Sequence, residues 1–481
     1  MRLPVWPLLL LAGCGAPDRP PHEVLGEEAR TLLQGGRPTE ATAEPPRFEP
    51  GEPVESVVSP GGRFRIHFSR SGPNAVALAD AEGNGIPDAV DTVARTYDTV
   101  AAFYAGLGYR SPPEDAGGSG ETGGDGRFDV YLVDFAGRAD GAFRREDCVS
   151  VDQGCRGYML QENDFAGYGY ASYARAVTTL ASHEFFHAVQ AAYGSALGRV
   201  AEEGTAVWAS ERFAPELDDL EHFVPAYLSR ADRSLVVEPD GPAQSFSYGA
   251  SLFFQFLGER LGDEVLRAMW EESVRAPASH WAELLETVLR RDAGTDFDTV
   301  FSEFAAWNLA TGERAREGSG YARGAGYSGL APAARDLPVD EPSVRVAAAS
   351  TRYFDVAGGT PGVSVSFEPR EGTNNAGLHL LVAAVTESEV LRVVRVDGPG
   401  VLSAQVSAED ATRVVVAVVN GRHSGDGRYG RLRLSSETPP TEQETPPAEQ
   451  PSRGCQTAPG SLPGALLLAV AWRALPRRRA R

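Results

Sequence analysis

Lysine is missing from this chain. All 45 basic side chains among its 481 residues are arginine, set against 66 acidic ones for a formal charge of −21. Without an amine on a flexible stem there is no Schiff-base lysine and no P-loop lysine, which excludes pyridoxal-phosphate enzymes and ordinary P-loop NTPases. The deficit of positive charge sets the chain against phosphate backbones and anionic lipid, so nucleic acid is not an expected partner. Cysteine is scarce, with four residues at Cys14, Cys148, Cys155 and Cys455. Long apolar runs are lacking too: the stretch Leu462–Trp472 is shorter than the roughly 18–20 residues that span a bilayer. No internal repeat is visible. What is there is ordinary for a globular protein, 42% apolar and 23% charged residues, with a length that allows about three units. The 53 Gly and 34 Pro point to many turns.

The two ends read as addresses. Residues 1–13 followed by Cys14 (MRLPVWPLLLLAGC) combine a basic residue, a short apolar run and small residues, the parts of an export signal. Leu11-Ala12-Gly13-Cys14 resembles the bacterial lipobox, which implies lipidation of Cys14. Residues 14–60 are a Pro- and Glu-rich stalk or pro-segment, the sequence leaving both open. At the other end, residues 437–454 are a Pro/Glu/Thr-rich tether. Residues 455–481 run from Cys455 through an apolar stretch to an arginine cluster, and this order is similar to the myxobacterial C-terminal sorting signal. The expectation is an exported protein held at the outer membrane or cell surface through a lipid anchor, the C-terminal segment, or both. Cys148 and Cys155 remain, and in an exported chain they favour a local disulfide.

Between the ends the grammar changes once. Residues 61–330 mix a strand at Phe64–Phe68, an apolar helical face over Ala89–Leu107, a strand at Phe128–Val133 and helices over Ala174–Tyr193 and Leu252–Trp270. Residues 331–436 carry short alternating runs (Val344–Ala347, Val363–Phe367, Val390–Val396, Val414–Val419) separated by turn signals. The fold class expected is an α+β domain followed by an all-β sandwich.

The chemistry is concentrated in Ser182-His183-Glu184-Phe185-Phe186-His187. On a helix free of Pro and Gly from Tyr173 to Tyr193, His183 and His187 project from one face, so two imidazoles can reach one metal. Glu184 sits beside them, placed to exchange protons rather than to ligate. A third ligand is expected downstream in Ala201-Glu202-Glu203-Gly204-Thr205-Ala206-Val207-Trp208, which resembles the EG-x-A-x-W segment of gluzincin peptidases. That resemblance implies Glu203 as the ligand, with Glu202 as the alternative. The metzincin extension is lacking after His187, and Val207 stands where thermolysin has an Asp, so the outer shell must differ. Two imidazoles and one carboxylate leave Zn2+ an open position for water. The segment Ser247-Tyr248-Gly249-Ala250 resembles the tyrosine-bearing stretch that follows the zinc site in gluzincin aminopeptidases. It implies Tyr248 as the donor to the developing oxyanion, with His222 as a second candidate.

Ahead of this lies a twelve-residue loop, Asp80 to Asp91. Asp80, Glu82, Asn84, Asp88 and Asp91 fall at positions 1, 3, 5, 9 and 12, with Gly85 at the turn and the Ile86 carbonyl at position 7. That spacing suits Ca2+. In this order, DAEGNGIPDAVD, GGDGRFDVYL, SHEFFHAVQ and EEGTAVWAS resemble a family of predicted secreted bacterial zinc metalloproteases common in myxobacteria. The resemblance implies a zincin-like, gluzincin-type catalytic domain over residues 61–330 and a peptidase acting on protein or peptide substrates. The rival reading is a surface adhesion or scaffold protein that keeps the domain without turnover.

Overall fold

The computed structural model describes residues 36–40, 43–115, 123–150, 152–239, 244–372 and 375–436. Cys14 and Cys455, with the signal, tether and anchor segments, lie outside them. The chain divides into two compact units, Met1–Val224 with Glu238–Leu284, and Pro225–Val237 with Leu285–Arg481.

The first unit is built on a five-stranded mixed sheet. Its strands are β1 (Val54–Val58), β2 (Phe64–Ser69), β3 (Phe128–Val133), β4 (Gly141–Ser150) and β5 (Gly154–Glu162), in the order β1-β2-β3-β5-β4. β2, β3 and β5 run parallel, while β1 and β4 close the two edges antiparallel. Alternation assigns the faces. Phe64 and Phe128 point to one side and meet Phe185 edge-on at 5.3 and 5.5 Å. Here pack α1 (Asp88–Gly106) and α2 (Tyr173–Ala191). The opposite face carries Tyr131, Val133, Tyr158 and Leu160 and is covered by Phe48. Order therefore begins earlier than the alternation at Phe64 suggests. β4 and β5 form a hairpin whose cysteines face each other in register, and Cys148 and Cys155 are joined as a disulfide.

After α2 come α3 (Arg199–Phe213), α4 (Asp219–Leu228), α5 (Gln244–Gly249), α6 (Ser251–Leu261) and α7 (Glu264–Arg275). The single helix expected over Leu252–Trp270 is two helices. Gly262 adopts φ +107°, a conformation closed to ordinary L side chains, and breaks the run there.

Among the described residues the second unit holds α8 (Trp281–Val288, in its later part), α9 (Phe297–Trp307) and nine strands. These are β6 (Ala333–Ala334), β7 (Val339–Val346), β8 (Ser350–Ala357), β9 (Val363–Pro369), β10 (Leu378–Val385), β11 (Val390–Asp397), β12 (Leu402–Val406), β13 (Arg413–Asn420) and β14 (Arg428–Ser436). They form two sheets, β11-β10-β13-β8-β6 and β12-β9-β14-β7. Both contribute to one core that includes Phe354, Phe367, Leu380, Val416 and Leu432, the layered arrangement expected of alternating strands. His379 of β10 ties α9 to the sheet, with Nε2 2.7 Å from Asp298 and Nδ1 on Asp397. Among the described residues no helix is long and apolar enough to cross a membrane.

Candidate metal centre

α2 is the backbone of the site. Ser172 caps it by accepting the Arg175 N–H at 3.1 Å, and no Pro or Gly interrupts it. Fourteen of its nineteen residues are buried, so the helix is enclosed rather than laid on the surface. Ser182 fixes it to α3 through a 2.6 Å hydroxyl pair with Ser210, and its carbonyl accepts the Tyr104 hydroxyl of α1 at 2.7 Å.

His183, fully buried, and His187 one turn later present their Nε2 atoms to the same carboxylate oxygen. Each lies 3.3 Å from Glu203 Oε2. Four tetrahedral donors at zinc's usual ~2.0–2.1 Å stand roughly 3.3–3.4 Å apart, so the chemistry and spacing of the three fit that ion. Among the described residues this is the one group of at least three His, Cys, Asp or Glu side chains with ligand atoms so gathered. The neighbouring alternative faces elsewhere: Glu202 turns back to accept the Leu197 N–H at 3.0 Å at the start of α3. Gly204 follows Glu203 because a Cβ there would come 2.5 Å from Phe254 of α6. The bare residue lets α3 approach closely enough to aim Glu203.

Electrostatics follow from this geometry. Burial acts to lower the His187 pKa, but the Glu203 charge and hydrogen bond outweigh it and raise the ring to about 10. Burial pushes Glu203 up, and the two imidazoles more than reverse that, holding it well below the usual carboxylate range.

Glu184 lies next to the trio, and its Oε2 accepts the Phe143 N–H of edge strand β4 at 3.0 Å. Tyr248 of α5 stacks on His183 with ring centres 5.6 Å apart, and Phe223 stacks on Tyr248 at 4.9 Å. Burial first, then the Glu203 and Glu184 charges and a hydrogen bond to Glu203, push the Tyr248 hydroxyl well above its ordinary pKa. It stays a neutral donor. His222 stands edge-on to Phe223 at 5.1 Å and is not part of the ligand group.

In the Asp80–Asp91 loop the side chains serve the loop itself. Asp80 accepts the N–H groups of Asn84 and Gly85 at 3.1 and 2.9 Å, and Asp88 accepts that of Ala81 at 3.0 Å. Asn84 donates to Asp91 at 2.7 Å, its own Oδ1 accepts the Ile86 N–H, and Glu82 is drawn to Arg95 at 2.7 Å. The turn Asp125–Asp129 is neutralised by arginine: Asp125 pairs with Arg65 and Arg127, and Asp129 with Arg37 and His67. Arg37 was not foreseen, nor was Gln190, which packs beside His187.

No family model and no curated protein matches the chain. Among solved structures it is similar to the pre-peptidase C-terminal domain of a Bacillus anthracis collagenase, at 12% identity and TM-score 0.18 over 22% of this chain and 95% of that one. A second is an Aeromonas hydrophila periplasmic inhibitor of g-type lysozyme, at 16% identity and TM-score 0.16 over 22% of this chain and all of that one. A third is a family GH115 4-O-methyl-α-glucuronidase, at 10% identity and TM-score 0.15 over 55% and 38% of the two chains.

Proposed function

We propose that the protein is an exported zinc metallopeptidase of gluzincin type that hydrolyses peptide bonds in extracellular proteins. The observation carrying this is the convergence of His183, His187 and Glu203 on one point at zinc's donor spacing, with Glu184 beside them. Bound there, zinc would supply Lewis acidity and lower the pKa of water. Glu184, oriented by the Phe143 N–H at Oε2, takes a proton from the attacking water and returns it to the leaving amine nitrogen. The Tyr248 hydroxyl, kept protonated beside the ligands, donates to the carbonyl oxygen as it gains charge. The Cys148–Cys155 bridge supports an oxidising, extracytoplasmic location, in line with a lipidated Cys14 and a sorting role for Cys455.

The test is metal content and turnover together. The purified full chain should carry one zinc per molecule and digest casein, and a chelator should abolish digestion until zinc is restored. Glu203→Gln should lose the metal and the activity in parallel. A chain that holds no zinc, or a fully metallated one that leaves casein and gelatin intact, would turn the reading towards a surface scaffold.

Calcium belongs to the proposal as the ion for Asp80, Glu82, Asn84, the Ile86 carbonyl, Asp88 and Asp91. The loop is already closed, with Asp88 N–H on the Ala79 carbonyl at 2.7 Å, so the ion would exchange for N–H and arginine partners at little backbone cost. Calcium at a hundred times its Kd should stabilise the chain by about 2.7 kcal/mol. Melting scans of the zinc-loaded chain dialysed into calcium-free buffer, with and without added calcium, should differ accordingly, and Asp80→Asn should erase the difference. Identical parent scans would remove calcium from the assignment.

A further inference from the structure

Gln190 follows His187 by three residues on α2, so the two side chains share a helix face, and the amide is buried at 3% exposure. Its Oε1 lies 2.8 Å from His187 Nδ1. Its Nε2 donates across to α3, to the Glu202 carbonyl at 2.8 Å and to Thr205 Oγ1 at 3.0 Å. An amide viewed alone could be turned either way, but these partners decide the matter. The Glu202 carbonyl can only accept. The Thr205 hydroxyl has given its proton to the Ala201 carbonyl at 2.7 Å, so it offers Gln190 only a lone pair. Both therefore demand the NH2 group, and a turned amide would set oxygen against oxygen at a buried contact. The oxygen is left facing His187, where an acceptor requires a proton on Nδ1.

We propose that Gln190 is a positioning residue that sets the His187 tautomer, holding the proton on Nδ1 so that the Nε2 lone pair faces the metal position. The proposal rests on the zinc reading above. The same amide links α2 to the peptide unit next to Glu203, so it fixes the orientation of one ligand and the approach of another. Side chains that orient a ligating histidine in this way typically change metal affinity or activity by about 10–100-fold when removed.

Two measurements on the full chain test this. In the zinc-loaded parent, long-range proton–nitrogen correlation spectra should show His187 bound through Nε2 and carrying a slowly exchanging proton on Nδ1. Zinc bound through Nδ1 would overturn the proposal without any variant. Chelator competition should then show Gln190→Met, similar in length and shape, binding zinc about 10–100-fold more weakly than the parent. Its cobalt-substituted form should give an altered visible spectrum. Thr205→Val keeps the Glu202 contact and should lose less affinity than Gln190→Met. Gln190→Met with parental zinc affinity and an unchanged cobalt spectrum would reduce Gln190 to a packing residue. A parent that binds no zinc would defeat the metal reading itself, a different result from a parent that binds and a variant that binds equally.

Discussion

Glu184→Gln is expected to cut kcat/KM on a casein-derived peptide by about 10²–10⁴-fold, the usual worth of a positioned general acid–base group, while the protein keeps its zinc. The separation of these effects follows from the site. Glu184 is not one of the three gathered donor side chains, and its tie to the scaffold is acceptance of the Phe143 N–H. A glutamine amide oxygen accepts that N–H equally well, so the side chain should keep its place and lose only its ability to carry a proton. At 1.36 kcal/mol per tenfold, the loss is about 2.7–5.4 kcal/mol of transition-state stabilisation. Zinc per chain by mass spectrometry should match the parent. Glu203→Gln should behave oppositely, with metal and activity lost together, because its carboxylate lies 3.3 Å from both Nε2 atoms and a neutral amide is a poor substitute. Retained activity in metal-loaded Glu184→Gln would show that the proton passes through another group and would dismantle the assigned chemistry.

The parts of this site visible in the sequence are those fixed by local geometry. His183, Glu184 and His187 lie within five residues of an unbroken helix, where the period of 3.6 alone puts the two rings on one face. The β-rich second unit and the Cys148–Cys155 pair were legible for similar reasons, alternation in one case and cysteine arithmetic in the other. Glu202 and Glu203 could not be separated by pattern, because their difference is a tertiary fact: one turns back to accept the Leu197 N–H ahead of α3 and the other faces the histidines. Gln190 gave no signal at all, since its role depends on α3 arriving beside α2. The break at Gly262 was hidden by apolar residues on both sides, which continue a helical face through a backbone that does not. The polar tail of β4 obscured an edge strand, because a one-sided edge has no need of full alternation.

Arg37→Met is expected to be the most damaging stability change outside the His183, His187 and Glu203 cluster, costing about 3–5 kcal/mol at neutral pH as a broken buried ion pair. Arg37 comes from the Pro- and Glu-rich stretch that the sequence left as stalk or pro-segment, yet its side chain is 1% exposed. It binds Glu146 at 2.7 and 2.8 Å and Asp115 at 2.8 and 2.9 Å, reaches Asp129, and lies over the Tyr158 ring at 5.0 Å. His67 supports Asp129 from the other side at 2.7 Å. Partners 78 to 109 residues away explain why no local pattern announced it. Methionine would fill similar space and leave three acids facing one histidine. The sign of the pH dependence follows from Asp115. Burial pushes it up from 3.8 to about 7 even against the pull of Arg37. An acid whose folded pKa lies above its unfolded one holds its proton in the native state through that interval, so stability falls as pH rises from about 4 to about 7. Removing the guanidinium takes away the influence that lowers this pKa, so in the variant the fall should extend above pH 7. Urea unfolding should therefore show a smaller deficit at pH 5 than at pH 8. Arg290→Met offers the contrast, since Arg290 is 63% exposed in its pair with Glu286 and its loss should leave stability close to the parent's at both pH values. A deficit equal at both pH values, or no deficit, would mean that the acids are held by something other than this one cation.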